Sequence, residues 1–248
     1  MRALWLALGF LTRIPVPSVD VRAGDLAAAA RLWPVAGVAV GMAALFGQAL
    51  GAWAASPLVG AAFGVGAWAL ASGGLHLDAL SDSFDGLGVV GDRERRLAAM
   101  RDSRAGSIGA AALAVWVVTK VTLLHACAEQ GTALLAALSA PVVARALAVL
   151  DARTEPPAAP GGLFAAIAAE VGWGHVLVAV VLGGVLSAAP LALTPHAARR
   201  LALAWMASAA LGSAWARGWR ARIGGSTGDV LGAGIELREG VVLLLLAG

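Results

Sequence analysis

Between Gly73 and Gly88 the chain reads GGLHLDALSDSFDGLG, which places His76, Asp78, Asp82 and Asp85 in one short segment. A helix turns by about 100° per residue, so carboxylates at i, i+4 and i+7 fall within roughly 60° of one another on a single stripe. Such carboxylates repel, and beside an apolar environment they are expensive unless something positive binds them. A hard divalent cation is the natural partner, because it takes oxygen ligands and bridges to phosphate oxygens. Asp78, Asp82 and Asp85 are therefore candidate metal ligands. A merely solvated face would alternate charge sign, and this one does not. His76 lies off the stripe, placed to contact a substrate or to support a carboxylate.

Two further segments carry groups that bind anions. In RDSRAGSIG, Arg101 and Arg104 stand one turn apart with Asp102 and Ser103 between them, and Gly106 opens the next apolar run. Guanidinium forks with a hydroxyl and backbone N–H groups at a helix start suit a phosphate, so these four residues are candidate substrate contacts. RIGGSTGDVLGAG repeats the logic with Thr227 and Asp229, although a helix-capping role explains Asp229 equally well. Asp92 reads as a helix cap, and Arg93, Arg95 and Arg96 as anchoring charges. Lys120 and Arg145 sit inside apolar runs, where each charge is a functional candidate by default, or else snorkels or pairs with the other.

The elements that must hold these groups are membrane helices. The 248 residues are 60% hydrophobic and only 13% charged, against about a quarter charged in soluble domains. A crossing helix needs about 20 apolar residues. Candidate spans are Leu32–Ala55, Pro57–Gly74, Gly106–Ala128, Thr132–Leu150, Gly174–Thr194 and Leu201–Ala216. The C-terminal VLGAGIELREGVVLLLLAG is a seventh span or a half-buried helix, because Glu236, Arg238 and Glu239 interrupt it. MRALWLALGFL is too short to cross and reads as an interfacial helix over about residues 1–14. The expected fold is all-α, a polytopic bundle of about six to seven transmembrane helices forming one integral membrane domain. Its main acidic and basic segment covers about residues 75–106. Alternating spans put the arginines from Arg13 to Arg104, with Arg153, Arg217, Arg220 and Arg222, on one side, and Arg199 and Arg200 on the other. The positive-inside rule makes the first side, which holds every motif above, cytoplasmic. A net charge of +3 is too slight to suggest a nucleic-acid partner, and fits anionic lipid or a phosphorylated substrate better. Cys127 is the single cysteine, so neither a disulfide nor a cysteine metal cluster forms within the chain.

FLTRIPVP, GGLHLDALSDSFDGLG, MRDSRAGSIGA and GGSTGDVLGA occur in the order and spacing of the cobalamin synthase family, the adenosylcobinamide-GDP ribazoletransferases. The resemblance runs from about Phe10 to the last helix; Ala79 and Ser81 stand where Gly and Ala are expected. It implies a transferase of cobalamin nucleotide-loop assembly in the bacterial inner membrane. Adenosylcobinamide-GDP would condense with α-ribazole or its 5′-phosphate, giving adenosylcobalamin or its 5′-phosphate and GMP. It also implies Mg²⁺, with Asp78, Asp82 and Asp85 as its ligands, Asp82 the firmer of them and Asp85 the proton acceptor. His76, Arg101, Asp102, Ser103, Arg104, Thr227 and Asp229 would contact substrate. Membrane lipid is a further partner, and a homo-oligomer is compatible with the sequence. Two alternatives stay open. Asp82-x-x-Asp85-Gly86 matches the opening of the CDP-alcohol phosphotransferase motif, but its later Asp residues do not follow at the right distance. A corrinoid transporter or assembly factor would place its charges near mid-membrane and show internal repeats, which are not found here.

Overall fold

The computed structural model describes residues 1–102 and 104–248, and these form twelve α-helices with no strand among them. In chain order they are α1 Arg2–Leu11, α2 Asp25–Ala30, α3 Trp33–Ala54, α4 Pro57–Ser72, α5 Leu75–Gly88, α6 Arg93–Met100, α7 Ser107–Glu129, α8 Ala133–Thr154, α9 Gly162–Glu170, α10 Trp173–Ala188, α11 Ala198–Ile223 and α12 Gly228–Ala247. Each of the six expected spans corresponds to one helix. The short α2 and α9, which pack against each other, have too few residues to register as spans.

Local sequence sets the starts of several helices. Ser56 caps α4 by accepting the Val59 N–H at 3.3 Å, with Pro57 at the first helical position. Asp92 caps α6 through the Arg95 N–H at 3.0 Å. By length and composition four helices can cross a membrane: α3, α7, α8 and α10 with its 3₁₀ extension to Ala192. The pair α4 and α5 makes a fifth if counted as one broken span. The expected six to seven therefore narrow to four or five. Helices α11 and α12 are long enough, but α11 carries arginines at both ends and α12 carries charges in its middle.

Close backbone contact organises the bundle. A Cβ at Gly41 on α3 would stand 2.5 Å from the Ala137 carbonyl oxygen of α8, and one at Gly37 would stand 2.6 Å from that of Pro141. These glycines, four residues apart, let α3 lie directly on the backbone of α8, where van der Waals packing and not the hydrophobic effect must hold helices together in lipid.

Helix α12 lies at the centre, packed against α5, α7, α8 and α11. The three charges that interrupt its apolar sequence are all buried and all matched. Glu239 accepts from Lys120 of α7 at 2.8 Å and from Arg145 of α8 at 2.7 Å. Glu236 accepts from Lys120 at 2.9 Å and from the Trp116 indole at 2.8 Å. Arg238 is paired with Asp151 of α8 at 2.7 Å. The Lys120 ammonium also sits 4.2 Å over the Trp68 ring. Lys120 and Arg145 thus do not pair with each other, as two cations could not; they share Glu239. The C-terminal segment is a helix buried along most of its length, with its three central charges inside the bundle and Leu244 exposed near its end.

Candidate active site

The acidic segment becomes a helix set across the bundle. Helix α4 ends at Ser72, and Gly73 and Gly74 both take positive φ, 65° and 70°. That left-handed pair, open to glycine at little steric cost, turns the chain by 90° into α5. Helix α5 therefore leaves the direction of α4, and it falls in the 75–106 segment that the sequence places outside the spans. The carboxylates of its exposed side face the first turn of α12. Burial and the like charges of Asp78, Asp229 and Asp85 push the Asp82 carboxyl up to about 6. The structure thus brings Asp78, Asp82 and Asp229 into one acidic neighbourhood from two helices.

Asp85 has a different task. Its two carboxylate oxygens accept the backbone N–H groups of Gly106 and Gly109, each at 2.8 Å. A Cβ at Gly106 would collide with one of those oxygens, and a Cβ at Gly109 with the other. The two glycines of GSIG are thus the cradle of a carboxylate that the protein itself supplies at the start of α7. Asp85, expected as metal ligand and proton acceptor, thus has each oxygen already engaged by a backbone N–H, and the anion site read into Gly106 is filled from within. Asp85→Asn should lower the thermal midpoint of the detergent-purified protein, since hydrogen bonds to a charged group contribute about 1.5–3 kcal/mol. A variant as stable as wild type would contradict the brace.

Other candidates separate. Arg104 is exposed and forked onto Asp102, with bonds of 3.1 and 2.8 Å, which holds the Asp102 carboxyl down to about 2. Those two residues form a local clasp, and Ser103 between them lies outside the described residues. Arg101, Thr227 and Asp229 instead line one cavity of about 190 Å³. The Thr227 hydroxyl caps α12 by accepting the Val230 N–H at 3.2 Å, so Asp229 stands in the first turn and not at the cap. The glycine-rich loop before it is pinned to the α8–α9 linker: Ser226 N–H donates to Pro156 O and Ala158 N–H to Ser226 O, both at 2.8 Å. Arg93 and Arg96, expected as anchoring charges, donate to carbonyls at the ends of α11 and α5.

Three cavities meet at the carboxylates. The first, about 160 Å³, is largely apolar and is bordered by His76, Asp78 and Asp229. The second, about 650 Å³, lies on the other side of Asp78 and is lined by Arg13, Thr12, Ser72 and Ser81. The third is the Arg101 cavity on the far side of Asp229. Arg13, Phe10 and Trp33 are site residues that sequence reasoning did not single out. Arg13 was signalled only by its place in FLTRIPVP, where a lone cation follows an apolar helix too short to cross.

Metal binding can be tested against these groups. Among the described residues no cluster of three or more His, Cys, Asp or Glu side chains is close enough to form a metal cage. Mg²⁺ rarely uses one; it keeps several waters and is bound by one or two carboxylates together with substrate phosphates. Asp78 and Asp82, one turn apart on α5, fit that arrangement, with Asp229 across from them.

Residues 3–247 match the family model for cobalamin-5-phosphate synthase. Curated relatives cover the chain end to end. One from Thiobacillus denitrificans is 38% identical over 99% of this chain and 94% of its own length. One from Pseudomonas aeruginosa strain UCBPP-PA14 is 40% identical over 100% and 98%, and one from Ralstonia nicotianae is 36% identical over 99% and 94%. All three are named adenosylcobinamide-GDP ribazoletransferase. No solved structure matches. The helical bundle and the similarity along the whole length agree, and the chain belongs to the cobalamin-5-phosphate synthase family.

Proposed function

We propose that the chain joins adenosylcobinamide-GDP to α-ribazole, or to its 5′-phosphate, and releases GMP, at the cytoplasmic face of a bacterial inner membrane. The observation that carries this reading is the meeting of separate cavities at one acidic wall: a transfer between two large molecules needs two binding spaces that share a reacting edge. The family and the names of the relatives support the substrates, and the arginine asymmetry supports the side of the membrane.

In the reaction, the ribose 3′-hydroxyl oxygen forms a bond to the phosphorus on the cobinamide side of the diphosphate. The bond from that phosphorus to the bridging oxygen breaks, and GMP leaves with the electron pair. Asp78 and Asp82 would hold Mg²⁺, which when bound neutralises charge on the diphosphate and on the departing GMP. Asp229, bordering the apolar cavity from the opposite helix, takes the hydroxyl proton. Arg13, on the polar side of Asp78, and Arg101, beyond Asp229, bind phosphate oxygens.

The test uses purified protein in liposomes with adenosylcobinamide-GDP and α-ribazole. GMP and a complete corrinoid should form together, and folded protein that yields neither would defeat the reading. Chelation should stop turnover and added Mg²⁺ restore it. Because one or two carboxylates hold Mg²⁺ weakly without substrate phosphates, Mg²⁺ alone should barely raise the thermal midpoint, whereas Mg²⁺ with adenosylcobinamide-GDP should raise it clearly.

A further inference from the structure

Arg145 Nη2 lies 3.2 Å from His76 Nδ1. A guanidinium has only donors to offer, so Nδ1 is the acceptor in that bond and the ring proton sits on Nε2. Protonating Nδ1 as well would set N–H against N–H, so the ring is neutral. Arg145 is itself fixed by Glu239 at 2.7 Å and by the Pro141 carbonyl at 3.1 Å. The buried ion network of α7, α8 and α12 thereby dictates which nitrogen of His76 carries hydrogen.

That hydrogen has no taker among the described residues. His76 is 2% exposed, and its Nε2 is buried without a partner. Leaving a buried donor unmatched is unfavourable, and folded proteins contain few such groups. The ring's Cδ2, adjacent to Nε2, faces Gly232, at 3.6 Å from where a Cβ would stand there. Gly232 and His76 both line the 160 Å³ cavity, whose other walls are Phe10, Trp33, Leu163, Phe164, Ile167 and Ile235. Apolar cavities of ~150 Å³ hold one aromatic ring. Here the mouth, at exposed Asp78, leaves a bicyclic ring room to extend.

We infer that this cavity seats the base of the ribazole, with His76 Nε2–H donating to the base's free ring nitrogen and the ribose emerging between Asp78 and Asp229. The inference rests on α-ribazole being the acceptor substrate, as proposed above. A benzimidazole bound to ribose through one nitrogen keeps its second ring nitrogen unprotonated, an acceptor only, on an otherwise apolar and flat body. That pattern matches one fixed donor in an apolar slot. Guanine, with polar groups along two edges, would leave most of them unmatched there. A lipid chain would fill the volume but leave Nε2–H bare.

The experiment compares α-ribazole with the indole riboside in which C–H replaces that free nitrogen. For wild type, kcat/KM should fall about 10- to 100-fold on the exchange, as expected when a buried donor loses its partner. In His76→Phe the two acceptors should be used about equally. A wild type that does not discriminate, or a His76→Phe enzyme that still does, would overturn the inference while leaving the transferase reading intact. A folded wild type that turns over neither acceptor overturns both. Should His76→Phe not fold, Ile235→Phe narrows the slot instead. It should raise KM for α-ribazole more than for the riboside of unsubstituted benzimidazole, with KM for adenosylcobinamide-GDP unchanged. Unchanged KM values for both acceptors, the outcome if lipid occupies the cavity, would overturn the inference.

Discussion

Asp82→Asn should reduce GMP release by roughly a thousandfold while the protein stays as stable as wild type. A metal ion held against phosphoryl oxygens contributes several kcal/mol of charge stabilisation in the transition state, and about 1.4 kcal/mol corresponds to a tenfold change in rate. Asparagine keeps the shape of the side chain but removes the charge that would hold the ion. It also removes repulsion, since Asp78, Asp229 and Asp85 all act on Asp82 as like charges. Stability should therefore hold or rise as activity falls. The opposite pattern is expected for Asp85→Asn, whose loss reaches activity through the position of α7. Turnover and thermal unfolding, measured on both variants, separate the two. Near-wild-type turnover by Asp82→Asn would remove Asp82 from the metal and from the site's chemistry.

Glu239→Gln should destabilise the bundle by about 3–5 kcal/mol, the usual consequence of removing one partner from a buried charge pair. Glu239 is fully buried and is the carboxylate common to Lys120 and Arg145. Its neutralisation leaves Glu236 as the remaining carboxylate beside two buried cations. Unfolding in detergent should show a large drop in midpoint. Combining Glu239→Gln with Arg145→Met should recover part of it, because the uncompensated cation is then gone. A double variant less stable than the sum of the single changes would contradict the network as drawn.

The membrane bundle was legible because apolar runs of about 20 residues have few other structures available. The break at Gly73-Gly74 and the acidic stripe could also be read, since both depend on neighbours in sequence. What escaped was tertiary. Helical spacing shows that Asp78, Asp82 and Asp85 share a stripe, but not that Asp85 reaches two glycines at the start of α7. The glycines at 106 and 109, one turn apart at the head of an apolar helix, were the available clue, and they read equally as an open anion site. The matching inside the bundle was nearer the surface of the sequence. Lys120, Arg145 and Arg238 balance Asp151, Glu236 and Glu239 in sign, charge for charge. That equality distinguishes an internal charged helix from a half-submerged one, although it does not assign partners. Arg13 and His76 needed the fold, because a lone cation and a lone imidazole acquire meaning only from the cavities beside them.

The charges of α12 also bear on how the chain is assembled. Each of Glu236, Arg238 and Glu239 opposes entry into a bilayer by an apolar helix on its own, by about 2.5–3.5 kcal/mol for a charge of this kind near the middle. Every counter-charge that answers them is in α7 or α8, which the ribosome completes first. Helix α12 therefore depends on α7 and α8 to match its charges, and its placement brings Thr227 and Asp229 up to the acidic face of α5. Without α12 between α7 and α8, neither Thr227 nor Asp229 stands beside α5.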